Sequence, residues 1–257
     1  MTTQSKSKRH PNPLDQAKQL EPQKAEKQAD APLLTCTQCG SLCSGARSRS
    51  RDGLCRRCQA QAYRAMRREW AIKCARNIFN HSDSRVILDV KTTRLNYDDD
   101  YYGEVVKIAL LDLVTGDSFE SLVKPCELIL PEATALHGIT NKMVQDAPDF
   151  LDVYQKVLGI IAGRHLVVYN LALARYSLEK STARYEIEVE IGVESLEFMY
   201  SDYIGKRIYY REEHKPIPLP GGDNTSLGDC QAILRLLKQI AETELPADRV
   251  TSGPPAR

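Results

Sequence analysis

The chain has 257 residues, of which 42% are hydrophobic, and a formal charge of +1. That suffices for one ordinary core plus something small, and the absence of any run of about 18 apolar residues excludes a membrane-spanning helix. With a polar rather than signal-like N-terminus, the expectation is a soluble, cytoplasmic, globular protein that does not contact membranes.

The near-neutral total hides an asymmetry. Residues 44–76 hold ten Lys/Arg against two acids, a local charge of +8, whereas residues 86–257 hold eighteen bases against twenty-seven acids, or −9. A basic segment joined to an acidic domain raises the prospect of nucleic-acid contact on the basic side.

In chain order, residues 1–31 are rich in Lys, Gln, Pro, Ser and Glu and cannot bury enough apolar surface to offset chain entropy. They read as a disordered tail, as does 246–257. Residues 32–58 follow, with Cys36-x2-Cys39 and Cys55-x2-Cys58 separated by fifteen residues. This is metal spacing rather than disulfide spacing. Too little apolar material lies between the pairs for a core, so four thiolates on one structural Zn²⁺ would have to supply the folding energy. Cys43 is a spare thiol that could compete as a ligand. The neighbouring Arg47, Arg49, Arg51, Arg56 and Arg57 leave open whether the module docks nucleic acid or is a structural clip.

From 59 to 80, Tyr63, Met66, Trp70, Cys74 and Ile78 recur at helical spacing with basic residues on the other faces, predicting an amphipathic connecting helix. Beyond it the pattern turns to strands at Val86–Val90, Val105–Leu113 and Ser118–Val123, with Thr115-Gly116-Asp117 as a turn. A helix over Met143–Ala162, a strand at His165–Tyr169, and helices over Leu171–Arg184 and Ser226–Thr243 complete the reading. The fold class is α/β, a mixed sheet flanked by helices.

Four segments stand in order within residues 86–242: Ile87-Leu88-Asp89-Val90-Lys91-Thr92-Thr93, Ala133-Thr134-Ala135-Leu136-His137-Gly138-Ile139-Thr140, Tyr169-Asn170, and Gly221-Gly222-Asp223-Asn224-Thr225-Ser226-Leu227-Gly228-Asp229-Cys230. Together they make this region resemble the DnaQ-like DEDDh 3′-5′ exonucleases, which have a ribonuclease H-like fold. The resemblance implies a site in which two divalent ions about 4 Å apart clamp the scissile phosphate. It also implies four carboxylates to hold those ions and a histidine to deprotonate water.

Mapped onto that pattern, Asp89 and Asp229 keep two carboxylate positions. Lys91 stands at the glutamate position, Ala174 at the second-motif aspartate position, and Asn224 at the general-base position. Asp89, Asp229 and Lys91 together carry −1 instead of the −4 that would balance two ions, so Mg²⁺ or Mn²⁺ is not expected at this site. A displaced ligand among Asp98, Asp99, Asp100, Glu104 or Asp223 is the way that expectation could fail.

The leading expectation is therefore a nucleic-acid-binding protein on an exonuclease fold, inactive or strongly impaired, engaging a single-stranded 3′ end through Lys91, Arg94, His137 and Arg175. Two alternatives stay open: an active exonuclease with a non-standard metal site, and a protein-binding scaffold. Tyr209, Tyr210 and Arg211 lie in a proline-rich loop that could stack bases.

Overall fold

The computed structural model describes residues 33–44, 53–95, 102–187, 192–206 and 217–245. Both tails read above, together with Arg47, Arg49, Arg51, Asp98, Asp99, Asp100, Tyr209, Tyr210 and Arg211, lie outside the described residues. The chain divides into two compact units, Met1–Tyr63 and Arg64–Arg257. Among the described residues no helix is long and apolar enough to cross a membrane.

In the first unit, β1 (Leu33–Thr35) and β2 (Leu42–Ser44) form an antiparallel hairpin. Cys36 N–H donates to the Ser41 carbonyl at 2.9 Å and Gly40 N–H to the Cys36 carbonyl at 3.0 Å. That tight turn needs Gly40 at φ +70°, a conformation glycine adopts without steric cost. The interior of this unit is Cys36, Cys43, Cys55 and Cys58 with Leu54 beside them, so sulfur takes the place of hydrocarbon.

Helix α1 (Arg56–Asn80) supplies the first element of the second unit from Arg64 onward. Its buried residues there are Ala71, Ile72, Ala75 and Ile78; of the expected stripe, Ile78 is buried and Cys74 packs against the same core, while Tyr63, Met66 and Trp70 are not buried. Two alanines on one face allow close approach to neighbouring elements, and a pattern built on bulky side chains overlooks them. Three of the basic residues on the other faces make contacts within the second unit. Arg67 pairs with Asp202 and lies 5.1 Å from the Trp70 ring centroid. Arg68 lies 4.1 Å over the Tyr203 ring and donates to the Tyr203 carbonyl at 2.7 Å. Arg76 donates to the Ala241 and Thr243 carbonyls at 2.9 Å each. These cations fasten the helix within its own unit.

The sheet consists of β3 (Arg85–Thr92), β4 (Val105–Asp112), β5 (Ser118–Leu122), β6 (His165–Val168) and β7 (Val193–Ser195). Their order is β5-β4-β3-β6-β7. The β3–β4 and β4–β5 pairs are antiparallel, and the β3–β6 and β6–β7 pairs are parallel. Alternation along the central strand β3 distributes its side chains between two cores. Val86, Leu88 and Val90 pack with Val153, Tyr154, Val157 and Ile161 of α4 (Phe150–Ile161) and with Leu178 of α5 (Leu171–Ala183). Ile87 faces the other way, toward α1, α6 (Leu196–Tyr203) and α7 (Ser226–Ala241). Each such buried aliphatic contributes about 1.5–3 kcal/mol relative to exposure.

The helix expected over Met143–Ala162 is broken. α2 (Pro131–His137) precedes a short α3 (Asn141–Val144), and α4 begins only at Phe150. Pro148 lacks an N–H and disfavours helical geometry at Ala147, so the chain must restart. The short β7 and α6 were not foreseen either. Between them Ser195 serves as N-cap, its hydroxyl accepting from Phe198 N–H.

Candidate functional site

Because side chains alternate along β3, Asp89 and Lys91 share the face on which α7 packs; β4 pairs with both residues, while the pairing with β6 ends at Ile87. α7 starts at Thr225, whose hydroxyl accepts from Gly228 N–H at 3.1 Å, and this cap places Asp229 in the first helical turn. The approach to α7 bends at Asn224, which sits at φ +64°, a left-handed conformation asparagine tolerates better than most residues. Gly222 leaves room in that bend: a Cβ there would fall 2.7 Å from Asp229 Oδ1.

Asp229 Oδ1 accepts from the Asp223 and Asn224 N–H groups at 3.0 and 3.2 Å, and Oδ2 accepts from Lys91 Nζ at 2.5 Å. The same ammonium lies 2.8 Å from Asp89 Oδ2. One lysine thus stands between two carboxylates, with the three side chains only 10–16% exposed. Burial pushes the Asp89 carboxyl up to about 7, with Lys91 pulling in the opposite direction. Burial works against the Lys91 ammonium, but Asp89 and Asp229 outweigh it and keep its pKa above the ordinary lysine value.

These groups line a pocket of about 160 Å³ together with Thr92, Leu95, Leu136, His137, Tyr169, Asn170, Leu173, Ala174, Ile217, Leu219 and Asn224. Asn170 caps α5, its Oδ1 accepting from Leu173 N–H at 2.9 Å, and one turn later Ala174 is 5% exposed with only a methyl to offer. His137 Nδ1 accepts from Ile139 N–H at 3.1 Å, so the hydrogen sits on Nε2, which donates to the Thr92 carbonyl at 3.1 Å. Both ring nitrogens are used internally, and burial holds the imidazole below its usual pKa.

Asp89, Lys91, Ala174, Asn224, Asp229 and His137 therefore meet in one pocket. Arg94 and Arg175 do not line it. The Arg94 guanidinium is 3.5 Å from Glu127, which also takes Lys180 and accepts from Thr93 Oγ1. Arg175 is exposed and pairs with Glu179 one turn along its own helix at 2.8 Å. Of the possible substitute ligands, Glu104 accepts from Cys126 and Glu127 N–H groups at 2.5 and 2.9 Å, and Asp223 accepts from Thr225 N–H and Oγ1 at 2.9 and 2.7 Å. Ile217, Leu219, Leu173 and Tyr169 were missed as pocket residues. Their nearness to the Gly221-Gly222-Asp223 and Asn170 segments was the signal available.

A pair of divalent ions does not suit these donors. A cation between Asp89 and Asp229 would meet the Lys91 ammonium in the same space, while Ala174 and Asn224 supply no anionic oxygen.

In the first unit, one ligand atom from each of Cys36, Cys39, Cys55 and Cys58 lies within 4.8 Å of the others. The Cys39 and Cys55 sulfurs are 3.8 Å apart, close to the edge of a tetrahedron with Zn–S bonds of about 2.3 Å. Cys55 N–H donates to Cys36 Sγ at 3.3 Å, and that contact leads the effects that lower the Cys36 thiol to about 6. Zn²⁺ fits this donor set, which could hold it as a structural ion.

Two consequences are measurable. Lys91→Met leaves two carboxylates facing each other without their cation, so a loss of about 3–5 kcal/mol in urea unfolding is expected at neutral pH; a loss below about 1 kcal/mol would show that the pair was not compensated by Lys91. The second concerns pH. Folded Asp89 keeps its proton up to about pH 7, whereas the unfolded chain releases it near pH 4. Its stabilising contribution is thus complete below about pH 4 and lost as pH rises through about 7. Asp89→Asn should flatten the dependence of the urea midpoint between about pH 4.5 and 7.5. Equal slopes in parent and variant would contradict the burial argument.

The sheet order β5-β4-β3-β6-β7, with helices on both faces, sets a pocket over the central strand. Residues 86–190 match the exonuclease family model RNase_T. An uncharacterized exonuclease, CP81, of Escherichia phage 186 is 27% identical over 179 residues, covering 62% of this chain and 89% of that protein. The DNA polymerase III epsilon subunit of Escherichia coli K12 is 32% identical over 94 residues, covering 34% of this chain and 39% of the subunit. The chain thus spans well under half of that subunit's length. Among solved structures, the nuclease domain of 3′hExo, a DEDDh family member bound to rAMP, aligns with TM-score 0.44 and 16% identity over 61% of this chain and 90% of that one. Escherichia coli exonuclease I in complex with a dT13 oligonucleotide aligns with TM-score 0.45 and 13% identity over 62% of this chain and 41% of that one.

Proposed function

We propose that this protein binds the 3′ end of a single-stranded nucleic acid on its exonuclease-type domain without hydrolysing it. The observation that carries the reading is the Lys91 ammonium held 2.8 Å from Asp89 and 2.5 Å from Asp229. A tethered cation stands between the two remaining carboxylates, while Ala174 and Asn224 withhold a further ligand and a base. The pocket keeps its shape and its apolar walls, so a terminal nucleotide has somewhere to sit, and the relatives' names, an exonuclease and a polymerase subunit, point to nucleic acid as the ligand class.

The domain organisation proposed alongside is a four-cysteine zinc module at 32–58, a connecting helix at 59–80 and the exonuclease-like domain at 86–242. Arg94 and Arg175, tied to Glu127 and Glu179, are proposed to act at most on the strand outside the pocket.

The test incubates a 3′-labelled single strand with the full chain in Mg²⁺ or Mn²⁺ and measures binding and shortening together. Binding that weakens with salt, with no shortening, is expected. Shortening that Asp89→Ala abolishes would overturn the reading in favour of an active, non-standard metal site. No binding to any strand would favour a protein-binding scaffold.

A further inference from the structure

The first unit contains five cysteines, one more than a tetrahedral ion needs, and their arrangement makes the surplus informative. Cys43 pairs with Leu34 across the β1–β2 hairpin, and Leu34 lies two residues from Cys36. Side chains of one strand face recur every second residue and lie opposite their cross-strand partners, so Cys43 shares the face of Cys36. Cys43 joins Cys36, Cys55 and Cys58 in the buried cluster, whereas Cys39 is the one exposed member of the four-sulfur group. Both candidates for the remaining position bracket the same residue: Cys39 Sγ is 3.2 Å from Ser41 Oγ, and Cys43 Sγ is 3.6 Å from the Ser41 carbonyl.

We propose that Cys43 is an exchangeable fifth ligand of this metal site, able to take the place of Cys39 while Cys36, Cys55 and Cys58 stay bound. In the exchange the metal–sulfur bond to Cys39 breaks as the bond to Cys43 forms. The Cys43 thiol releases its proton, and the departing Cys39 thiolate takes one up, so the charge at the ion does not change. Because Cys39 is the exposed ligand, its sulfur can be alkylated by an electrophile, whose leaving group departs, without expelling the metal. The inference rests on the reading that the four-cysteine group binds a metal.

The test uses the full-length chain, its Cys39→Ser and Cys43→Ser variants and the double variant, each loaded with Co²⁺ as a visible-spectrum probe and with Zn²⁺ for affinity. Cys39→Ser should keep a four-thiolate spectrum and an affinity within about tenfold of the parent, while the double variant falls by about a hundredfold or more. A Cys39→Ser protein that matches the double variant, or binds no metal while the parent does, would overturn the proposal. Failure of the parent itself to bind metal would instead remove the underlying reading. The rate of Zn²⁺ transfer from the folded parent to a competing chelator decides independently of how well Cys39→Ser folds. Cys43→Ser should slow it by about tenfold, because the incoming thiol is gone. Equal rates in parent and Cys43→Ser would refute the exchange.

Discussion

Combining Lys91→Glu, Ala174→Asp and Asn224→His is expected to convert a protein with no detectable Mg²⁺-dependent shortening of a single strand into one that shortens it, by a margin of about a thousandfold or more over the parent. The changes act together. Lys91→Glu removes the cation between Asp89 and Asp229 and leaves three carboxylates on one face. Ala174→Asp adds a fourth from a helix whose Asn170 cap already fixes its first turn. Asn224→His adds a base at a left-handed position that histidine also tolerates. Before metal is added the variant should be less stable than the parent, since crowded carboxylates repel one another in a site that is largely buried. Its melting temperature should then rise with Mg²⁺ concentration while the parent's does not. A metal-dependent melting temperature without activity would place the fault in the strand-binding surface. No metal response at all would mean the pocket differs from the parent exonuclease site in more than these three positions.

Removing zinc is expected to produce the second large effect. Among the described residues, the interior of the first unit is four cysteine side chains with Leu54 beside them, so little hydrocarbon would hold β1, β2 and the turn at Gly40 if a bound ion were withdrawn. Metal binding in such modules contributes on the order of 10 kcal/mol, which is folding free energy when no other core exists. Chelation should therefore abolish amide protection in β1, β2 and the turn at Gly40. Strands β3 to β6 and helix α7 should keep theirs, because two apolar cores on either side of the sheet do not depend on the ion. Persistent protection at Cys36 and Gly40 in the metal-free chain would show that the hairpin stands without it.

Much of the second unit was legible because its signals are short-range. The apolar run at Val86–Val90 falls within β3, the turn at Thr115-Gly116-Asp117 separates β4 from β5, and Asn170 and Thr225 cap the helices that follow them. Asp89, Lys91 and Asp229 could be aligned with a family pattern, but sequence alone could not say where the lysine ammonium would point. That depends on β3 and α7 packing face to face across 138 residues of chain. The partners of the α1 arginines were out of reach for the same reason: Arg67, Arg68 and Arg76 meet Asp202, Tyr203 and the carbonyls at 241 and 243 only through the tertiary fold. The break at Pro148 was visible and was outweighed by apolar residues on both sides of it. Arg175, adjacent to a pocket residue in sequence, is carried to the outside by the helical turn and finds Glu179 there.

A lysine held between Asp89 and Asp229 is a counter-ion that cannot be diluted, chelated or exchanged. Wherever a protein relies on dissolved magnesium to neutralise such carboxylates, its grip on a nucleic acid follows the magnesium concentration around it. Here a tethered cation stands between the two carboxylates, so retention of a strand at a given pH should be the same in a chelating buffer as in millimolar magnesium, apart from ordinary ionic screening. The domain's hold on a strand would thereby be insulated from fluctuations of divalent ions.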